Sequence, residues 1–356
     1  MGRLDKPKSN QKNHKGRKMK LTLANKYRPK EFSDVVAQGS VVDILEKQVL
    51  TNTFKNVYLF TGGAGTGKTT IARILSNKIN KREGAYIEID AASNGGKESV
   101  LKIVSDAQVK SLDSDYKIFL IDEVHAISSE GWITFLKTIE EPPQKTIFIF
   151  CTTDPQKISA PILSRMQRFN LQRIPQDQMV NRLKHICENE NFTEYEYGVE
   201  YIAKLADGGM RDAITMLEKV SSLDTRITLE NVMRVLGTVN YDDMFELTNH
   251  IIDMKELEAL NLINRIYQSG ADLKQFINDF LNFIVDVNKY LLSESYDYIK
   301  IPRIYEKELK SIVSLQDPKT FYNLLLERLV SIKELLKWES QVKSNVELHV
   351  IRLCRS

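Results

Sequence analysis

Eight consecutive residues, Gly62-Gly63-Ala64-Gly65-Thr66-Gly67-Lys68-Thr69, have the composition and spacing of a complete phosphate-binding loop. Glycines let the backbone wrap phosphates with its N–H groups, Lys68 can reach the terminal phosphate oxygens, and Thr69 offers a hydroxyl to Mg²⁺. The run lies between an apolar strand pattern, Val57 to Thr61, and a helical pattern that Thr70 carries on, so a helix N-terminus adds its positive dipole end. A second cluster follows at the end of another apolar strand, Lys117-Ile118-Phe119-Leu120-Ile121-Asp122-Glu123-Val124-His125. Asp122 is placed to hold the Mg²⁺ and Glu123 to orient and polarise an attacking water. A transferase brings its own acceptor, so the acidic pair argues for hydrolysis of a nucleoside triphosphate.

Two arginines extend the set. Arg165, in Ser164-Arg165, follows the strand-end segment Cys151 to Pro155 by a short helix, and Arg211 opens a helix after Gly208-Gly209. A guanidinium spreads positive charge over the phosphate oxygens that become more negative in the transition state. Arg165 falls outside the part of the sheet that carries Lys68, which points it at a neighbouring subunit's nucleotide. Arg211 is expected to act on its own subunit's nucleotide and to couple domain angle to ligand state. Either one also reads as an ordinary surface or helix-start arginine.

Alternating elements must position these groups. Strands are predicted at 57–61, 85–90, 117–122, 146–152 and 167–171, with helices at 68–80, 97–109 and 129–140 between them. That alternation predicts a parallel α/β sheet with flanking helices. Val100, Ile103, Val104 and Ala107 share one helical face, as do Trp132, Phe135, Leu136 and Ile139, so these aromatics read as core. After Pro175 only helical patterns remain, a compact stretch to about Gly237 and a longer one from Tyr241 onward. The longer stretch carries extended apolar faces, such as Phe276, Ile277, Phe280, Leu281 and Ile284, with turns near Pro302 and Pro318.

A chain of 356 residues with 42% hydrophobic content suits two or three domains with real cores. No apolar stretch approaches the roughly 20 residues that span a bilayer, and the N-terminus lacks the apolar core of a signal peptide. The cytoplasm is therefore the expected compartment, with no membrane partner. Cys151, Cys187 and Cys354 lie far apart, which suggests neither a disulfide framework nor a metal cluster. Residues 1–20 hold eight Lys/Arg against Asp5, a net of +7, so the whole chain's +3 leaves about −4 for the rest. Residues 1–22 are read as a disordered basic tail. It serves either as a solvated leader, even as sequence upstream of a start at Met19, or as an arm attracted to nucleic acid.

Several segments in order give a family resemblance. They are Tyr27 to Gln38, the phosphate loop, Asp122 to His125, Leu136 to Pro143, Thr152 to Lys157, Ile162 to Arg165 and the ending Asn345 to Leu353. Together they resemble the AAA+ sliding-clamp loader ATPases, most of all the bacterial DNA polymerase III gamma/tau type, from about residue 23 onward. The resemblance implies a RecA-like AAA+ ATPase domain over 23–173, a small helical lid over 174–238 and an all-α collar for oligomerisation over 239–356.

By motif it implies ATP and Mg²⁺ at Lys68, Thr69 and Asp122, and Glu123 as the water-activating residue. It makes Thr153 the sensor near the terminal phosphate, Arg165 an arginine finger acting in trans and Arg211 the second sensor. Arg28, Pro29, Val35 and Val36 are expected to line the adenine and ribose pocket. Ser93, Asn94 and Lys97, with Lys137, are expected to face DNA backbone, although the two lysines also read as plain solvated side chains. Val109 to Leu112 is the expected edge toward the clamp, or a simple helix-to-strand turn.

The implied partners are a sliding clamp, primer–template DNA and other loader subunits, in a pentamer assembled through the collar; contact with a replicative polymerase is expected to be indirect. Three departures stand out. The four-cysteine zinc module of bacterial gamma/tau chains is replaced by the direct bridge Lys78 to Gly84, so no zinc is expected. The family's Ser-Arg-Cys reads Ser164-Arg165-Met166, and the long tau extension is missing, which suits a compact phage or divergent bacterial version. The rival readings are another AAA+ DNA motor, of the branch-migration or helicase type, and a nucleotide-binding scaffold subunit. A P-loop kinase is disfavoured by the acidic pair.

Overall fold

The computed structural model describes residues 21–111, 113–236, 241–338 and 341–355. The expected basic tail therefore lies outside the described residues except for Leu21 and Thr22, and so does Leu112 of the expected clamp-facing edge.

Five strands, β1 (Val57–Thr61), β2 (Ile87–Asp90), β3 (Lys117–Asp122), β4 (Thr146–Thr152) and β5 (Gln167–Asn170), form one sheet in the order β2-β3-β4-β1-β5. Every pairing is parallel. β1 and β4 are buried along their whole length, as expected of central strands covered on both faces. Helices of this part are α1 (Leu23–Lys26), α2 (Gly39–Leu50), α3 (Lys68–Asn80), α4 (Ala91–Asn94), α5 (Lys97–Ala107), α6 (Ser129–Glu140) and α7 (Ala160–Leu163). One apolar layer packs α2 and α3 on a sheet face through Leu45, Ile71 and Leu75; the other packs α5 and α6 through Val100, Ile103, Trp132 and Phe135. Phe135 stands edge-on to Phe148 and Phe150 at 6.0 and 5.7 Å, which fixes α6 against β4.

Two elements are two residues shorter than the sequence pattern predicts. Pairing of β2 starts at Ile87 because the Asn80 side chain donates to the Ala85 carbonyl and accepts from Tyr116 N–H, taking those groups out of the ladder. The helix expected over 97–109 stops at Ala107, where Lys117 Nζ donates to the carbonyls of Asp106 and Val109.

The remaining chain is helical: α8 (Gln176–Glu190), α9 (Glu196–Leu205), α10 (Met210–Ser221) and α11 (Leu229–Leu236), then α12 (Tyr241–Ile252), α13 (Glu256–Gln268), α14 (Leu273–Ser293), α15 (Glu306–Val313), α16 (Pro318–Leu336) and α17 (Val342–Cys354). The apolar face read from the sequence, Phe276, Ile277, Phe280, Leu281 and Ile284, is buried, and so are Leu325, Leu329, Ile332 and Leu336 of α16. Pro318 starts α16, where its missing N–H costs nothing. The two helical stretches share one continuous apolar cluster, and Leu23 of α1 belongs to it rather than to the sheet layers. The fold is thus a parallel α/β module followed by an all-helical region.

Candidate nucleotide site

β1, β3 and β4 all end at the same edge of the sheet, so the loop after β1, the acidic pair after β3 and Thr153 after β4 converge there. This is where open α/β sheets bind ligands. The cleft has a volume of about 300 Å³, at the lower end of the roughly 300–1,000 Å³ usual for ligand sites. Ala64 to Thr70, Asp122, Glu123 and Thr153 line it.

The loop conformation depends on its glycines. Gly62, Gly65 and Gly67 have φ of 146°, 68° and 104°, a region that side chains disfavour. A Cβ on Gly62 would fall 2.6 Å from the Leu171 carbonyl oxygen. Lys68 is 6% exposed, and its ammonium donates to the carbonyls of Gly62 and Gly63 at 2.9 and 2.8 Å. Burial lowers its pKa, against the opposing influence of Glu123, Cys151 and Asp122. Thr69 Oγ1 donates to Asp122 Oδ2 at 2.6 Å, which brings a hydroxyl and a carboxylate together as hard oxygen ligands. A buried cation held by the carbonyls of a glycine-rich loop, with a Thr-Asp oxygen pair beside it, fits a magnesium nucleotide.

Successive strand side chains normally point to opposite faces, yet Asp122 and Glu123 both line the cleft. The left-handed conformation of Glu123, φ 49° and ψ 42°, breaks the alternation, and its N–H donates to Asp122 Oδ1 at 2.9 Å. Glu123 Oε2 accepts from Thr153 Oγ1 at 3.3 Å and lies 3.3 Å from His125 Nδ1, which is also 3.1 Å from Thr152 Oγ1. Thr153 and His125 therefore hold one oxygen of the carboxylate.

Arg28, Pro29, Val35 and Val36 line the cleft's other wall, together with Tyr27, Ile174 and Arg182. Arg182 donates to the Tyr27 carbonyl at 3.0 Å and the Tyr27 hydroxyl to Glu190 at 2.6 Å, which pins this arm to α8. Arg211 lines the cleft from the first turn of α10.

Arg165 is not among the lining residues. Its guanidinium pairs with Glu140 Oε1 at 2.5 Å and donates to the Pro161 carbonyl. Ser93, Asn94, Lys97 and Lys137 are exposed and also lie outside the cleft. Ser93 and Asn94 bond to Asp90, and Lys97 sits 3.7 Å from Glu130.

Sequence reasoning gave no role to Gln38 or His125, although both stood inside motifs it used. Gln38, 3% exposed, donates to the Gln172 carbonyl at 2.8 Å and to Thr66 O at 3.5 Å, and accepts from Gln172 N–H. It ties the phosphate loop to the segment leading into the helical region. Arg182 and Met210 carried no local signal, because they reach the cleft only through the packing of α8 and α10.

Comparison with known proteins agrees with this geometry. Residues 85–175 match the family DNA polymerase III, delta subunit, and residues 227–356 match DNA polymerase III subunits gamma and tau domain III. The chain is 30% identical to the DNA polymerase III subunit tau of Bacillus subtilis, over 93% of this chain and 62% of that one. Against the subunit gamma of Buchnera aphidicola from Acyrthosiphon pisum it is 29% identical, over 93% of this chain and 98% of the other. The chain thus spans less than two thirds of the tau relative's length. The solved RuvB Holliday junction branch migration motor of Thermotoga maritima shares the fold, with a TM-score of 0.51 at 19% identity over 64% of this chain and 79% of that one. The cleft, the segments that build it and an alignment over 93% of this chain agree: the chain is similar to the gamma and tau subunits of DNA polymerase III.

Proposed function

We propose that this chain is an ATP-hydrolysing motor subunit of a clamp loader, one that opens a sliding clamp and places it on primer–template DNA. The convergence of Lys68, the Thr69–Asp122 pair and the tethered Glu123 in one cleft is the observation that carries the reading. Lys68 and the loop N–H groups bind the phosphates of ATP, and Thr69 and Asp122 hold Mg²⁺, which when bound neutralises charge on the terminal phosphates. Glu123 accepts a proton from the attacking water while Thr153 fixes its carboxylate. Arg211 senses the terminal phosphate from its own chain, and Arg165 supplies charge to the site of a neighbouring subunit. Arg28, Pro29, Val35 and Val36 hold the base and sugar.

Assembly uses the helices from Tyr241 onward as a collar, in a ring or spiral that includes non-identical subunits. Ser93, Asn94, Lys97 and Lys137 face duplex phosphates, because a loader acts at any sequence and reads backbone rather than bases. Magnesium is the only metal in this reading, and metal analysis of the pure protein checks it.

Steady-state ATP hydrolysis by the assembled complex, with primed DNA, with clamp, with both and with neither, tests the function. Synergistic stimulation by clamp and primed DNA is the expected result. Stimulation by DNA with indifference to the clamp would instead indicate a translocating motor, and no turnover under any condition would indicate a scaffold.

A further inference from the structure

Helix α6 begins six residues after Glu123 and ends on Glu140, the residue that holds Arg165. It is locked to the sheet in between by Trp132 and Phe135, both buried against Phe150, and against α5 by the shared layer with Val100 and Ile103. Its last turn is therefore fixed relative to the site of its own chain. Arg165 is gripped at three points. Nη2 pairs with Glu140 Oε1 at 2.5 Å on α6, and Nη1 donates to the Pro161 carbonyl on α7. Nη1 also donates to Ser164 Oγ at 3.4 Å, so these contacts orient the plane, and because each terminal nitrogen of a guanidinium carries two hydrogens, Nη2 keeps a donor for a phosphate. At 35% and 40% side-chain exposure the pair adds little to folding stability, as is usual for ion pairs open to water. Its effect is on direction: an unrestrained arginine has many rotamers, and a charge that must meet a transition state in another subunit gains from being aimed beforehand.

We infer that Glu140 is a positioning residue for Arg165, and that α6 links the geometry of each chain's own nucleotide site to the aim of the arginine it presents to its neighbour. This rests on the proposal that Arg165 acts in trans. Lys137 lies one turn before Glu140 on the same helix, so a contact at Lys137 bears on the same handle.

The test is ATP turnover by the full chain in its assembled complex with primed DNA, comparing wild type, Arg165→Ala, Glu140→Ala, Glu140→Asp and the double variant Glu140→Ala/Arg165→Ala. Glu140→Ala is expected to lower kcat by about tenfold while changing KM for ATP less than about twofold. Glu140→Asp should recover at least half of the lost turnover, and the double variant should be no slower than Arg165→Ala alone. A purely structural role would not give that kcat-only loss with absence of additivity. If Arg165→Ala slows turnover but Glu140→Ala runs at or above the wild-type rate, or if the two losses multiply, Glu140 does not position the arginine. If Arg165→Ala itself turns over normally, the trans-acting arginine is wrong and this inference goes with it.

Discussion

Met210 donates its backbone N–H to the carbonyl of Gly65 at 3.1 Å, so the first turn of α10 is bonded directly to the phosphate loop. A Cβ on Gly65 would lie 2.9 Å from Gly209 Cα, and Gly65 already sits at φ 68°. Two chain segments meet here with no room for a side chain, a direct backbone contact between the helical region and the nucleotide site. The contact brings Arg211, the next residue, to the cleft.

Gly65→Ala should therefore weaken nucleotide binding and loosen α10 from the loop together. Fluorescent nucleotide titration is expected to show a loss of affinity of about five- to 150-fold, corresponding to strain on the order of 1–3 kcal/mol. Wild-type affinity in the variant would mean that the close approach does not bear on the ligand.

The bond from Thr69 to Asp122 at 2.6 Å joins two groups proposed to face magnesium. Thr69→Val keeps the shape and removes the hydroxyl, so the magnesium concentration for half-maximal turnover should rise about tenfold, a loss comparable to one charge-assisted hydrogen bond. Chelation of magnesium should stop turnover, and restoring magnesium should recover it. An unchanged magnesium curve in Thr69→Val would remove the residue from the metal site.

Glu123 is held by Thr153 and His125 on one oxygen, which leaves the other for water. Glu123→Gln should retain nucleotide binding and lower turnover by about 10²–10⁴-fold, the usual contribution of a general base. His125→Ala should cost less, about tenfold, because Thr153 still restrains the carboxylate. Single-turnover hydrolysis separates these effects from binding, and equal rates for Glu123→Gln and wild type would place the base elsewhere.

The parallel sheet and the residues of the phosphate loop and acidic pair that line the cleft could be read from the chain because each depends on local pattern. Apolar runs end in Gly62 and in Asp122, and the side-chain types there have few other uses in that order. Element ends were less legible, since Asn80 delays the start of β2 and Lys117 caps α5 early by bonds made across the fold. The shared helical core was also hidden. Leu23 and Ile174 join it from positions close to the α/β module in sequence, and nothing in periodicity says which of two neighbouring cores an apolar residue enters. His125 and Gln38 show the same limit at the site, because their partners Glu123, Thr152, Thr66 and Gln172 are brought near by topology.

Gln38 gives the last prediction, since its amide ties the phosphate loop to the Gln172 segment and is shielded from water. Gln38→Leu fills nearly the same volume but leaves the Gln172 N–H and carbonyl facing an apolar group. Buried polar groups stripped of partners cost roughly 1–3 kcal/mol each. The variant should unfold at lower denaturant concentration with an unchanged slope, by about 2 kcal/mol. Added nucleotide should recover less stability than it gives the wild type, because the loop that binds it has lost its fixed relation to the segment entering α8. Equal stabilisation of both proteins by nucleotide would show that Gln38 supports the fold without shaping the site.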